Sequence, residues 1–238
     1  MSDGRLRDLE RRFRSTGTTV DEAAWLAERV RVGELPAGRV ELAALLGSEA
    51  ARTILGAGPP PKPWKAWLER AVRTTWPPNH AWAALPTGWE VAVRATVALA
   101  RAIDAPRVET RMGWVPERER DQATQALEAA EAWAACPCRE HAIAAHEVLH
   151  PGLVDARNHV QAVQIYAGAA KVASTQGGCD VHPGCDRVVR NMLATCTKAA
   201  KLVGAARTRP VVEAEVLPWA LGLGDPLLAR VRGRAPPS

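Results

Sequence analysis

Along much of the chain, apolar residues recur at intervals of three and four, the spacing that gathers them on one face of an α-helix. Leu6, Leu9 and Phe13 predict a first helix over 4–15. Thr19-x-x-Glu22 has the form of a capping box, and Ala23, Leu26 and Val30 follow on the inward face up to Gly33. Pro36 suits a first helical position ahead of Val40, Leu42, Leu45 and Leu46, and Gly47 stops that helix. Ser48 then opens a short helix closed by Leu55-Gly56. Four helices with glycine stops read as two α-hairpins, the unit from which helical solenoids are stacked. No strict 33- or 34-residue period accompanies them.

Residues 56–63, GAGPPPKP, are a linker, because Pro and Gly end helices and stiffen loops. Trp64, Trp67, Leu68, Ala71 and Val72 then share one helical face before WPPNHAWAALPTG breaks the pattern. Thr87-x-x-Glu90 is a second capping box, opening a helix to Ile103 with Val91, Ala95, Ala98 and Ala102 toward a neighbour. After an exposed loop at 104–116 come a long helix at 117–135, a break at Cys136-Pro137-Cys138, and helices at 139–150, 155–174 and 186–205. The expected fold is all-α. It comprises a helical-hairpin region (1–56), an Ala-rich up-down bundle (60–206) and a basic, partly disordered tail (207–238).

Composition strengthens the helical reading. The 238 residues include 45 Ala, the best helix former, while β-branched and aromatic residues are thin or clustered. Nine Trp stand against one Phe and one Tyr, so Trp and Leu are the bulky core pieces between close-packed Ala faces. Trp114, in the loop between Gly113 and Val115, is the tryptophan marked for partner contact. No stretch is apolar over the roughly 18 residues a membrane helix needs, and the charged N-terminus lacks a signal-peptide core. A cytoplasmic protein with no membrane partner is expected. There, five cysteines are free or metal-bound rather than disulfide-bonded.

The net charge of +5 sits entirely in residues 186–238, which hold nine Lys/Arg against four Asp/Glu. Arg187, Arg190, Lys198 and Lys201 share the last helix, followed by Arg207, Arg209, Arg230, Arg232 and Arg234. They form a candidate surface for an acidic partner or nucleic acid. No aromatic residues interleave to stack on bases, which leaves a solvated helix with a dipole-complementing end as the plain alternative.

Two groups of residues have metal-ligand chemistry. His146-Glu147-Val148-Leu149-His150 matches H-E-x-x-H: the histidines, four apart, share one helical face, and Glu147 stands as general base for a metal-bound water. The longer zinc-peptidase pattern demands Gly and His where this chain has Leu153 and Ala156, so the third ligand would have to be Asp155 or His159. No predicted strand precedes the helix to hold a substrate. The second group is Cys136-x-Cys138-x-x-His141 together with Cys179-x-x-His182-x-x-Cys185, a candidate structural zinc site whose thiolates sit at loops and helix starts. The two segments reach one end of an up-down bundle only if the 155–174 helix, roughly 30 Å long against roughly 18 Å for 139–150, bends or breaks near Gly168. The plain alternative is a set of free thiols, with Cys196 in the core beside Met192 and Ala199.

The stretch RDLERRFRSTGTTVDEAAWLAERVRVGELPAGRVELAALLGSEAARTILG (7–56) resembles the N-terminal segment of a group of uncharacterised bacterial helical-repeat proteins. ATQALEAAEAWAACPCREHAIAAH (123–146) is similar to Ala-rich helices of that group and, more faintly, to immunity proteins of polymorphic toxin systems. The resemblance covers about half the chain and implies an all-α binding protein with no assigned catalytic residues. It also implies that His150 arose by substitution in a helix that needs only small residues; the Cys/His loop at 179–185 falls outside the shared pattern. The leading expectation is a non-catalytic protein-binding protein, adaptor or immunity type. A zinc hydrolase using 146–150 is the alternative, and nucleic-acid binding through the C-terminal cations the third.

Overall fold

The computed structural model describes residues 2–63, 66–67, 69–70, 87–103, 117–136, 138–148, 194, 196–197 and 199–233. Every regular element among them is helical, as expected. They are α1 (Ser2–Thr16), α2 (Thr19–Arg31), α3 (Ala37–Leu45), α4 (Glu49–Leu55), α5 (Thr87–Arg101), α6 (Glu117–Ala135), α7 (Arg139–Val148), α8 (Ala205–Leu221) and α9 (Pro226–Arg232). No helix among the described residues is long and apolar enough to cross a membrane. The chain forms two compact units, Met1–Thr75 with Val216–Asp225 and Trp76–Glu215 with Pro226–Ser238.

In the first unit α1 packs on α2, and α2 and α3 on α4. The core is Leu6, Leu26, Leu35, Val40, Leu42 and Leu46, closed by Trp25 and Trp67. Trp67 lies beyond the Pro-rich linker yet is fully buried, and its indole N–H donates to the Leu45 carbonyl at 2.5 Å. This contact carries the unit past the hairpin region expected to end at 56. Trp219 of α8 belongs here too, with the Arg39 guanidinium 4.4 Å above its ring.

Ser48 caps α4 by accepting from the Ala51 N–H, and Gly56 ends it at φ 58°, both as the sequence predicts. The cap of α2 is shifted by one residue. Gly17, at φ 62°, terminates α1 with its N–H on the Phe13 carbonyl. Thr18 is then the first residue free to take the extended cap conformation, and it accepts from the Asp21 N–H. The cap is therefore Thr18 bonded to the Asp21 N–H, rather than Thr19 of the expected Thr19-x-x-Glu22 box. Thr16 and Thr18 donate to Asp21 Oδ2 at 2.6 and 2.8 Å, and Arg12 Nε stands 2.7 Å from Oδ1.

The second unit is organised around α5, which packs on α6; α7 and α9 also pack on α6. The sequence predicts one inward face for α5. In the structure Val91, Val93, Ala95, Val97, Ala98, Leu99 and Ala100 are all buried, so the middle of the helix buries more than one face. A helix apolar on more than one face belongs inside the protein, and the small Val and Ala side chains let neighbours close over it.

Three polar devices are enclosed with it. Arg94, 1% exposed, pairs with Glu90 one turn earlier at 3.3 Å and donates to the Ala134 carbonyl at 2.8 Å, in the last turn of α6. Glu131, with no exposure, accepts from Arg101 at 2.8 and 3.0 Å and from Arg230 at 3.4 Å. Thr96 Oγ1 lies 2.7 Å from Cys196 Sγ. Cys196 is core, as expected, and burial pushes its thiol up to about 11.

The described part of the C-terminal stretch is helical, in α8 and α9. Gly204, at φ 93°, separates helical residues 199–203 from α8, and Gly222 at φ 64° separates α8 from α9. The apolar residues of α8 serve two cores, Val212 in one unit and Val216, Trp219 and Leu221 in the other, so they do not form a single readable stripe.

Two outcomes follow from these contacts. The Thr16 and Thr18 hydroxyls, then Arg12, hold the Asp21 carboxyl below its ordinary 3.8, and the Arg31 guanidinium holds Glu28 below 4.5. A carboxyl lowered by folding stabilises fully above its ordinary value and loses that contribution as pH falls through its folded value. The urea midpoint is expected to drop below about pH 4, and Asp21→Asn to flatten that drop; an unchanged acid limb would contradict the network. In the second unit, Arg101→Ala with Arg230→Ala removes two cations from a buried carboxylate and is expected to lower the urea midpoint, whereas Glu131→Met leaves Arg101 at a half-exposed position and Arg230 on Glu215 and is expected to cost less.

Candidate functional site

Metal-ligand donors converge at the turn between α6 and α7. Arg94 holds the Ala134 carbonyl, the Cys136 N–H bonds the Ala132 carbonyl at 3.0 Å, and the Cys138 N–H bonds the Cys136 carbonyl at 2.7 Å. That tight reversal brings Cys138 to the residue before α7 and leaves His141 in the first helical turn. His141 Nδ1 then lies 3.2 Å from Cys138 Sγ and 3.0 Å from the Cys136 carbonyl oxygen. The ligand atoms of Cys136, Cys138 and His141 all fall within 4.8 Å of one another. Cys136 is exposed and the other two half-buried, so the cluster opens to solvent. The Cys138 thiol beside it, then burial and the Glu140 charge, push the Cys136 thiol up. Two thiols this close cannot both ionise cheaply unless a cation stands between them.

The structure thus brings together one of the two Cys/His segments singled out from the sequence. Cys179, His182 and Cys185 lie outside the described residues, as do His150, Asp155, His159 and Trp114. Of H-E-x-x-H, His146 and Glu147 are on α7; Glu147 is exposed, and the His146 side chain is outside the described set. Among the C-terminal cations, Arg187, Arg190 and Lys198 are outside it too, and Lys201 is an exposed helical residue. Arg209 is paired with Glu213 at 2.9 Å, and Arg230 with Glu215 at 2.7 and 3.0 Å as well as with Glu131. Those two arginines are engaged inside the fold.

A second site went unread in the sequence. α1, α2 and the turn after α8 enclose a cleft of about 470 Å³, walled by Leu6, Arg7, Arg14, Trp25, Arg29 and Glu34 among others. At its floor Arg29, 12% exposed, lies with its guanidinium 4.9 Å from the Trp25 ring centroid and donates to the Leu221 carbonyl at 2.6 Å. Trp25 is stacked in turn on Phe13, centroids 5.4 Å apart. Gly222 closes the floor: its φ is positive, and a Cβ there would stand 2.8 Å from the Arg29 guanidinium. The carboxylate nearest Arg29 is Glu34, 51% exposed and 3.7 Å away, beyond hydrogen-bonding distance. The available signal was Trp25 and Arg29 four apart, the helical spacing at which a cation meets a ring.

The cysteines separate by environment. With metal removed by a chelator, iodoacetamide at about pH 8, well below the raised Cys196 thiol, is expected to label Cys136 and Cys138 in the folded protein and to spare Cys196. Peptide mass mapping checks this, and labelling of Cys196 at the same rate would contradict the buried assignment.

No protein-family model, curated protein or solved structure matches this chain, so the functional reading rests on its own geometry.

Proposed function

We propose that this chain is a non-catalytic protein-binding protein, of adaptor or immunity type, that acts in the cytoplasm and captures an acidic segment of another protein in the cleft between α1 and α2. The observation that supports this reading is the state of Arg29. It is nearly buried, fixed by Trp25 and the Leu221 carbonyl, and its closest carboxylate stands at 3.7 Å. A guanidinium pre-positioned in this way loses little freedom when it meets a partner. Its low exposure strengthens a charge-assisted hydrogen bond relative to one in water. Arg7 and Arg14 line the rim, Arg14 already bonded to Glu10 at 2.6 Å, and rim charges steer an acidic chain inward and set its salt dependence. Glu34, half exposed on a loop, is the carboxylate an incoming Asp or Glu would replace.

The test uses fluorescein-labelled decapeptides rich in Glu, with Gln and Lys versions as controls, titrated by anisotropy at two salt concentrations. The Glu peptide is expected to bind best and to weaken with salt. Arg29→Met keeps the packing on Trp25 and is expected to weaken binding about ten- to a hundredfold, the equivalent of one or two charge-assisted hydrogen bonds. Glu34→Gln is expected to tighten it. Equal binding of the three peptides, or a Glu34→Gln protein that binds more weakly than wild type, would remove the basis for this reading.

A further inference from the structure

We propose that Cys136, Cys138 and His141 form a zinc site that clasps the end of α6 to the start of α7. The site belongs to the second unit and is independent of the cleft in the first.

The first argument is the donor set. Two thiolates and an imidazole suit zinc, a borderline-soft ion held at about 2.3 Å from sulfur and about 2.0–2.1 Å from nitrogen. Tetrahedral donors around such an ion stand roughly 3.5–3.8 Å apart. The three ligand atoms here already lie within 4.8 Å of one another, and the Cys138–His141 pair at 3.2 Å. Side-chain rotations at an exposed and a half-buried cysteine close the remaining difference.

The second argument is how the backbone holds the donors. Cys136 follows the last turn of α6, whose Ala134 carbonyl is pinned by the buried Arg94. Cys138 precedes α7, so its position is set by the helix start. His141 Nδ1 lies 3.0 Å from the Cys136 carbonyl, to which it can only donate, so ligation through Nδ1 gives up this bond and leaves the ring proton on Nε2. When zinc binds, two S–H bonds release their protons and two Zn–S bonds form. The imidazole nitrogen gives its lone pair, and the charge of the dication is balanced by the two thiolates. One tetrahedral position is left for water or a further donor.

The consequence is mechanical. Among the described residues α7 packs on α6, and on α7 Ile143 is 47% exposed while Ala145 is fully buried. So short a helix, ten residues with one buried apolar position described, gains much of its anchorage from a metal at its first turn. Zinc is the device that makes the α6–α7 turn a fixed corner.

The test is metal content and spectroscopy on the full chain, purified under reducing conditions with zinc supplied. One zinc per chain is expected, retained in His146→Ala and lost in Cys136→Ser with Cys138→Ser. His141→Gln is expected to weaken zinc binding at least tenfold in competition with a chelator. It is a surface-opening position, which keeps the test alive if the cysteine variant fails to fold. Cobalt(II) substituted for zinc is expected to show thiolate charge-transfer absorption together with tetrahedral d–d bands. Zinc is expected to raise the melting temperature by about 5 °C or more in wild type and by little in His141→Gln. Zinc retained when both cysteines are changed, zinc lost in His146→Ala alone, or a cobalt spectrum without thiolate bands would overturn the proposal.

Discussion

A guanidinium enclosed in the middle of a helix is the constraint around which the second unit is built. Arg94 is 1% exposed, and a charge so placed costs several kcal/mol unless its hydrogen bonds are met. Glu90 meets part of that demand from the same helix. The Ala134 carbonyl meets another part, and it belongs to the last turn of α6, where carbonyls lack intrahelical partners. One side chain therefore answers two needs, its own desolvation and the open end of a neighbouring helix. It holds the last turn of α6, which ends at Ala135, directly before Cys136.

Arg29 in the first unit shows the same chemistry in another balance. Like Arg94 it donates to a helix-end carbonyl, that of Leu221, and like Arg94 it is largely enclosed. Arg94 has a carboxylate within hydrogen-bond reach, whereas the one nearest Arg29 is half exposed and too far for a hydrogen bond. The stacked Phe13–Trp25 pair and the cation–π contact compensate for part of that difference. The result is an arginine held by a ring and a carbonyl, with its carboxylate partner at 3.7 Å.

The thiols divide in a parallel way. Cys196 sits against Thr96 inside the bundle, where desolvation suppresses its thiolate and with it any nucleophilic or ligand chemistry. Cys136 and Cys138 stand at a solvent-open turn beside an imidazole. Residue type is the same in the two places, and reactivity is assigned by enclosure.

Much of the fold was legible from local pattern. The 3.6-residue periodicity, the Ser48 cap, the Gly56 stop and the 117–135 helix recur in the structure because each depends on neighbours within a turn. Cys136, Cys138 and His141 were legible as a set for the same reason, their separation being five residues across one helix start. The register of the α2 cap was missed by one residue, because Gly17 decided where α1 could end. The burial of α5 on more than one face, the helical course of 205–232 and the Arg29 cleft were not legible. Each depends on residues far apart in sequence: Arg94 with Ala134, Glu131 with Arg230, Arg29 with Leu221. The sequence by itself determined that the chain is helical and where most helices begin and end, since those choices are made by local backbone chemistry. Only the tertiary structure decided which arginines are neutralised, which thiols stay open and which cation faces a cleft, because burial and long-range pairing are properties of the packed chain.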